Sequence, residues 1–218
     1  MQRTLILLAA LLGFAAGPVR ACSMALVLAI DVSSSIDIGE YGFQTDGLAD
    51  ALLDPEIADV LVQHQVALSV VQWSGAGEGD LTIPWRRMLS YGEVRDFSAR
   101  VRGMPRMWEG SNTAVGDAIA FSAAQFDRVS DCGRKVIDVS GDGSSNAGLN
   151  AATESRKAEV AGIEINGIAI DIIGASITGF YERFVVTSDG FVITSRGFSD
   201  YPRSIREKLL RELIKPGS

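Results

Sequence analysis

Short apolar runs without alternation recur along the chain, and segments with apolar residues at helical spacing separate them. "MALVLAI" (24–30), "RKVIDVS" (134–140) and "GIEINGIAIDIIG" (162–174) have the pattern of strands buried on both faces. "QVALSVVQW" (65–73) is another strand, and the glycines of "SGAGEGD" between it and "LTIPW" (81–85) predict a hairpin. Gly75, Gly77 and Gly79 have the look of a phosphate loop, but no helical pattern begins after them, and the hairpin is preferred. "GFVITS" (190–195) is a final short strand.

The first predicted helix runs from Gly39 to Leu53, with Tyr41, Leu48 and Leu52 on one face. Asp37 and Glu40 before it have capping-box spacing, and Asp54-Pro55 ends it. Further helices are predicted over 91–102, 113–126, 150–161, 177–187 and 201–214. Val115, Ile119, Ala123 and Phe126 mark the buried side of the second of these, and 150–161 reads as an alanine- and charge-rich surface helix. In the last, Tyr201, Ile205, Leu209 and Leu213 form an apolar stripe, and the charges are expected on a solvated face. Apolar strands alternating with helices imply an α/β fold: a doubly wound, mostly parallel sheet with one antiparallel edge strand and helices on both faces.

The first 21 residues stand outside this pattern. A basic start, an apolar stretch from Leu5 to Ala16 and the small-residue exit Val19-Arg20-Ala21 predict a secretory signal peptide. The stretch is shorter than the roughly 20 residues a membrane span needs. One domain is expected over 22–218, soluble and either periplasmic or secreted. Removing 1–21 takes away Arg3 and Arg20 and no acid, so the formal charge moves from −7 to −9. An acidic surface repels phosphate backbones, which argues against a nucleic-acid partner and is compatible with divalent cations.

Export gives the two cysteines meaning. Cys22 and Cys132 each precede a short apolar strand. If those strands are parallel neighbours, their starts share one edge of the sheet and a disulfide can form in an oxidising compartment. The alternative is lipidation of Cys22 as an N-terminal cysteine, since Val19-Arg20-Ala21-Cys22 loosely resembles a lipoprotein cleavage box.

Ligands of open α/β sheets bind beyond the carboxyl ends of the strands, where strand order reverses. Three polar clusters fall in such loops: Asp31-Val32-Ser33-Ser34-Ser35, "EGSNTAVGDA" (109–118) with Thr113 at a helix start, and "DVSGDGSSN" (138–146) with Asp142 just past a strand. Alone, the first is matched by an ordinary turn and helix cap. Together, Asp-x-Ser-x-Ser, a distant Thr and a distant Asp-Gly resemble the metal-ion-dependent adhesion site of the von Willebrand factor A domain. The resemblance covers essentially all of 22–218. Stretches such as "VSGDGSSNAG" and the cysteine placement resemble a bacterial subfamily of exported A-domain-like proteins of unknown function.

The resemblance implies that Asp31, Ser33, Ser35, Thr113 and Asp142 hold a cation, with one position open to an Asp or Glu of a protein partner. Carboxylate and hydroxyl oxygens suit Mg²⁺, Mn²⁺ or Ca²⁺. Gly110 and Gly143 fit tight loops beside the ion. Met104, Met107 and Trp108 precede the Thr113 loop and either rim the site or pack beneath a helix. His64, the sole histidine, is expected at the opposite end of the sheet. No Gly-x-Ser-x-Gly elbow is present, and Ser33 stands where a haloacid-dehalogenase-type phosphatase has its second aspartate. A non-enzymatic binding module is therefore favoured. The alternatives are a scaffold that does not use metal and, third, a Mg²⁺-dependent hydrolase.

Overall fold

The computed structural model describes residues 22–172 and 174–214. The predicted leader, 1–21, lies outside the described residues. The elements in chain order are β1 (Met24–Asp31), α1 (Ile38–Leu52), α2 (Pro55–Gln63), β2 (Ala67–Trp73), β3 (Gly79–Arg87), α3 (Tyr91–Arg102), α4 (Val115–Ala123), β4 (Arg134–Gly141), α5 (Ala151–Val160), β5 (Ile163–Ile170), α6 (Ser176–Phe184), β6 (Val192–Ser195) and α7 (Tyr201–Ile214). The sheet has the order β3-β2-β1-β4-β5-β6, with only β3 antiparallel to its neighbour. This is the α/β arrangement the strand pattern predicts. Strand order reverses at the β1/β4 pair, where β1 ends on Asp31 and β4 on Gly141, just before Asp142.

Alternate strand residues feed two cores. Leu26, Leu28 and Ile30 face α1, α2, α3 and α7; Ala25, Val27 and Ala29 face α4, α5 and α6. The central strands are mostly apolar on both sides because both faces are covered.

Several expectations need correction. Asp54-Pro55 ends α1 but also starts a helix that the apolar pattern did not reveal: Asp54 accepts from the backbone of Glu56 and Ile57, and Pro55 takes the first position of α2. The helix expected over 113–126 is shorter. Thr113 lies before its first turn, α4 has no side-chain cap, and a 3₁₀ segment replaces it after Ala123. The long strand expected to Gly174 stops at Ile170, because Asp171 turns to accept from the backbone of Ile177 and Thr178 at the start of α6.

The charges of α7 are not all solvated. Lys208 and Glu212 are fully buried, and Lys208 Nζ lies 2.8 Å from Asp138 Oδ1 on β4 and 2.5 Å from Glu212 Oε1. Asn166 of β5 also donates to Glu212 Oε1. Two buried acids share one buried base, and burial pushes Asp138 up to about 7 despite the lysine.

Candidate functional site

The β1–α1 loop is fixed before any ligand is considered. Asp31 ends β1, and its Oδ1 accepts from Ser33 N at 2.7 Å, which turns the chain sharply. Gln44 of α1 donates to the Asp31 carbonyl, and Arg106 donates to the carbonyls of Val32 and Ser33. Asp37 and Glu40 then close the predicted capping box of α1. Ser33 N, Ser34 N, Ile36 N and Asp37 N each have a partner, which holds the loop that carries the Ser33 and Ser35 hydroxyls.

Thr113 is brought to this loop by its neighbours. Ala114 N donates to the Ser74 carbonyl at the end of β2, and Ser34 N donates to the Ser111 carbonyl. From the other side, Asn146 embraces Thr113. Its side-chain Oδ1 accepts from Thr113 N at 2.9 Å, and its backbone N donates to Thr113 O at 2.9 Å. The loop after β4 is therefore locked to the loop before α4. Gly143 faces Thr113, where an added Cβ would sit 3.5 Å from Thr113 Oγ1.

The outcome is a contiguous row of oxygens from three loops. Thr113 Oγ1 lies 3.3 Å from Ser33 Oγ, Ser33 Oγ 3.3 Å from Ser35 Oγ, and Ser35 Oγ 2.7 Å from Asp142 Oδ1. Oxygens about 2.1 Å from one cation and at right angles to each other sit about 3 Å apart, so this spacing suits a small hard ion. Asp31 is wholly buried, and its Oδ2 has no hydrogen-bond partner among the described residues. A buried carboxylate oxygen left so is costly and is the atom a cation would satisfy.

Electrostatics point the same way. Burial, reinforced by the Asp142 charge and opposed by the Ser33 amide and Arg106, pushes the Asp31 carboxyl up to about 7. Burial also raises Asp142, against the hydrogen bond from Ser35. Positive charge at this point would reverse both shifts. Among the described residues no group of three or more His, Cys, Asp or Glu is placed to hold an ion; the oxygens gathered here are three hydroxyls and the carboxylates of Asp31 and Asp142.

The surroundings sort the remaining sequence candidates. Met104 is buried and its carbonyl accepts from Tyr41; Trp108 is half-buried against the core; Met107 is 41% exposed. Of the three, only Met107 is presented freely to solvent near the Thr113 loop. Gly110 has φ +77°, a left-handed turn that favours glycine. His64 caps the end of α2, and its carbonyl accepts from Ser23 N at the start of β1, the end of the sheet away from the site. Beyond Asn146 a groove of about 440 Å³ runs between the loop to α5 and α6, lined by Leu149, Phe180 and Phe184 among others.

Cys22 and Cys132 form a disulfide between the starts of β1 and β4. That sulfur is then not free to carry a lipid thioether. Supporting residues that the sequence pattern did not single out are Asn146, Arg106, Gln44, Gly141 and Tyr181. Only the polar run "SSN" after Asp142-Gly143 hinted at the first.

Comparison with known proteins agrees with this architecture. The model of the family described as "Protein of unknown function (DUF1194)" matches residues 21–217, and the chain belongs to that family. No curated protein matches the chain. Among solved structures, proximal thread matrix protein 1 from the mussel byssus superposes with a TM-score of 0.66 at 18% identity, over 86% of this chain and 46% of that one. A von Willebrand factor type A protein from Catenulispora acidiphila gives 0.64 at 16%, over 88% and 43%. The pilus adhesin SpaC from Lactobacillus rhamnosus GG gives 0.65 at 13%, over 88% and 30%. The chain thus spans less than half the length of each, and has the fold of a von Willebrand factor A domain. Another structure of the mussel protein is described as having a zinc-occupied MIDAS motif.

Proposed function

We propose that this DUF1194 protein is an exported, divalent-cation-dependent protein-binding module. Asp31, Ser33, Ser35, Thr113 and Asp142 would hold Mg²⁺, Mn²⁺ or Ca²⁺. The observation that carries this is the row of hydroxyl and carboxylate oxygens spaced 2.7–3.3 Å apart beside the buried, unpaired Asp31 Oδ2. Such a donor set contains only two carboxylates, so a bound cation keeps positive character. When bound, the cation supplies an electrophilic point that accepts one more oxygen anion.

The partner's contribution is an Asp or Glu side chain. The chain's own part is to hold the donors in register: Asn146 fixes Thr113, and Arg106 and Gln44 fix the 31–35 loop. Met107, with Trp108 behind it, would rim the site and meet the partner. Zinc in the corresponding motif of the mussel protein supports divalent-cation use on this fold. The disulfide belongs to an oxidising compartment and supports export by the 1–21 leader to the periplasm or beyond. Among the described residues no helix is long and apolar enough to cross a membrane.

Titration calorimetry with MgCl₂ and MnCl₂ tests the cation site directly. Saturable binding is expected for the native chain and none for Asp31→Ala with an unchanged circular-dichroism spectrum. Capture of partners from the native envelope fraction should be lost with EDTA and in the same variant. No cation binding by the native chain would leave the metal-free scaffold. Turnover of phosphoesters or peptides that Asp31→Ala abolishes would replace binding with metal-assisted hydrolysis.

A further inference from the structure

Tyr181 of α6 is a large polar side chain that approaches Asp31 across Gly141. It is completely buried, and its hydroxyl, like Asp31 Oδ2, has no hydrogen-bond partner among the described residues. Both oxygens converge on Gly141, the last residue of β4. A Cβ built there would lie 2.7 Å from Asp31 Oδ2 and 2.8 Å from the Tyr181 hydroxyl. Each oxygen is therefore under 3 Å from one point, and the two are less than twice that apart. Any side chain at 141 would expel one of them. A glycine here keeps open a notch whose walls are one donor and one acceptor.

The rest of Tyr181 explains why the hydroxyl stays put. Its ring packs on Gly167 of β5, where an added Cβ would come within 2.6 Å of Cδ1, and edge-on against Phe180. The phenol lies across the face of two paired strands, over a glycine on each. A core that needed only bulk would take phenylalanine, which carries no hydroxyl to bury. Burial, with the charges of Asp31, Asp142 and Asp138, holds the phenol well above its ordinary range, so it stays a proton donor.

We propose that Tyr181 is a positioning residue of the cation site: its hydroxyl, unpaired in the metal-free chain, donates to Asp31 Oδ2 across the Gly141 notch once a cation is bound. Outer partners of this kind fix the orientation of a metal-binding carboxylate, and their removal lowers metal affinity about 10–100-fold. The inference rests on the cation-site reading given above and adds to it a residue outside the five-residue motif.

The test compares native chain, Tyr181→Phe and Gly141→Ala by Mn²⁺ titration with electron paramagnetic resonance detection, alongside Tm without metal. Tyr181→Phe should bind Mn²⁺ about tenfold or more weakly, with a metal-free Tm equal to or above native, because an unpaired hydroxyl has left the core. Gly141→Ala should show the same loss of affinity. Native Mn²⁺ affinity in Tyr181→Phe overturns the inference, whether or not its Tm falls, and leaves the cation site standing. Failure of the native chain to bind Mn²⁺ overturns both.

Discussion

Thr113 Oγ1 sits 3.3 Å from Ser33 Oγ although 80 positions separate them, and the contact is buried. The two hydroxyls come from the loop after β1 and the loop before α4. Their closeness depends on Asn146, which grips Thr113 through both its side chain and its backbone. Replacing Thr113 by Val keeps the shape and removes only the oxygen. Mn²⁺ affinity should fall by about tenfold or more, at least the cost of losing an outer-shell partner, with little change in Tm. Calorimetry and a melting curve on the same sample check both halves.

Asp31 makes stability depend on pH in an unusual direction. Its folded carboxyl titrates at about 7, above the ordinary aspartate value near 3.9. The folded chain therefore holds a proton that the unfolded chain has lost between those values, so metal-free stability should decline as pH rises from about 4 to 7. Asp138, also raised to about 7, adds to the trend. Asp31→Asn should flatten the decline in part, and chemical denaturation across pH 5–8 measures the slope.

Cation binding should offset that loss. At Mn²⁺ near 100 times its dissociation constant, the folded state gains about 2.7 kcal/mol, which for a chain of this size raises Tm by about 5–10 °C. The increase should be largest above pH 7, where Asp31 is ionised in the absence of metal, and EDTA should abolish it. Melting at pH 6 and pH 8, with and without MnCl₂, is the measurement.

Lys208 neutralises two buried acids, Asp138 and Glu212. Lys208→Met would leave both without their base, and breaking a buried pair in this way costs about 3–5 kcal/mol. The penalty should shrink as pH falls and Asp138 takes up a proton. Urea denaturation at pH 8 and pH 5 should show the larger loss at pH 8.

The Cys22–Cys132 link closes a loop of 110 residues across the starts of β1 and β4. On the chain-entropy account a loop of that length contributes about 4–5 kcal/mol. Cys132→Ser should therefore melt about 10–15 °C lower while keeping its Mn²⁺ affinity, since the link is at the end of the sheet away from the site. Scanning calorimetry of the oxidised native chain and the variant is the comparison.

Local patterning determined the order of strands and most helices, because burial on both faces writes itself as unbroken apolar runs such as 24–30 and 134–140. The capping box at Asp37 and Glu40 was legible for the same reason: its hydrogen bonds join residues three apart. The five candidate oxygen donors were singled out by resemblance to the adhesion-site motif, four of them at or after the ends of β1 and β4 and Thr113 before α4. Helix α2 was not, since Asp54-Pro55 reads equally as an end and as a beginning. Only the tertiary structure decided which long-range polar groups meet. Lys208 and Glu212 lie by spacing on the same face as Tyr201 and Ile205, yet their charge reads as solvated until Asp138 is set against them in the core. Tyr181 looks like one more aromatic of an amphipathic helix until Gly141 and Gly167 admit it beneath Asp31. Hydrophobic burial follows from local period, whereas the pairing of a polar atom depends on what the folded chain sets against it.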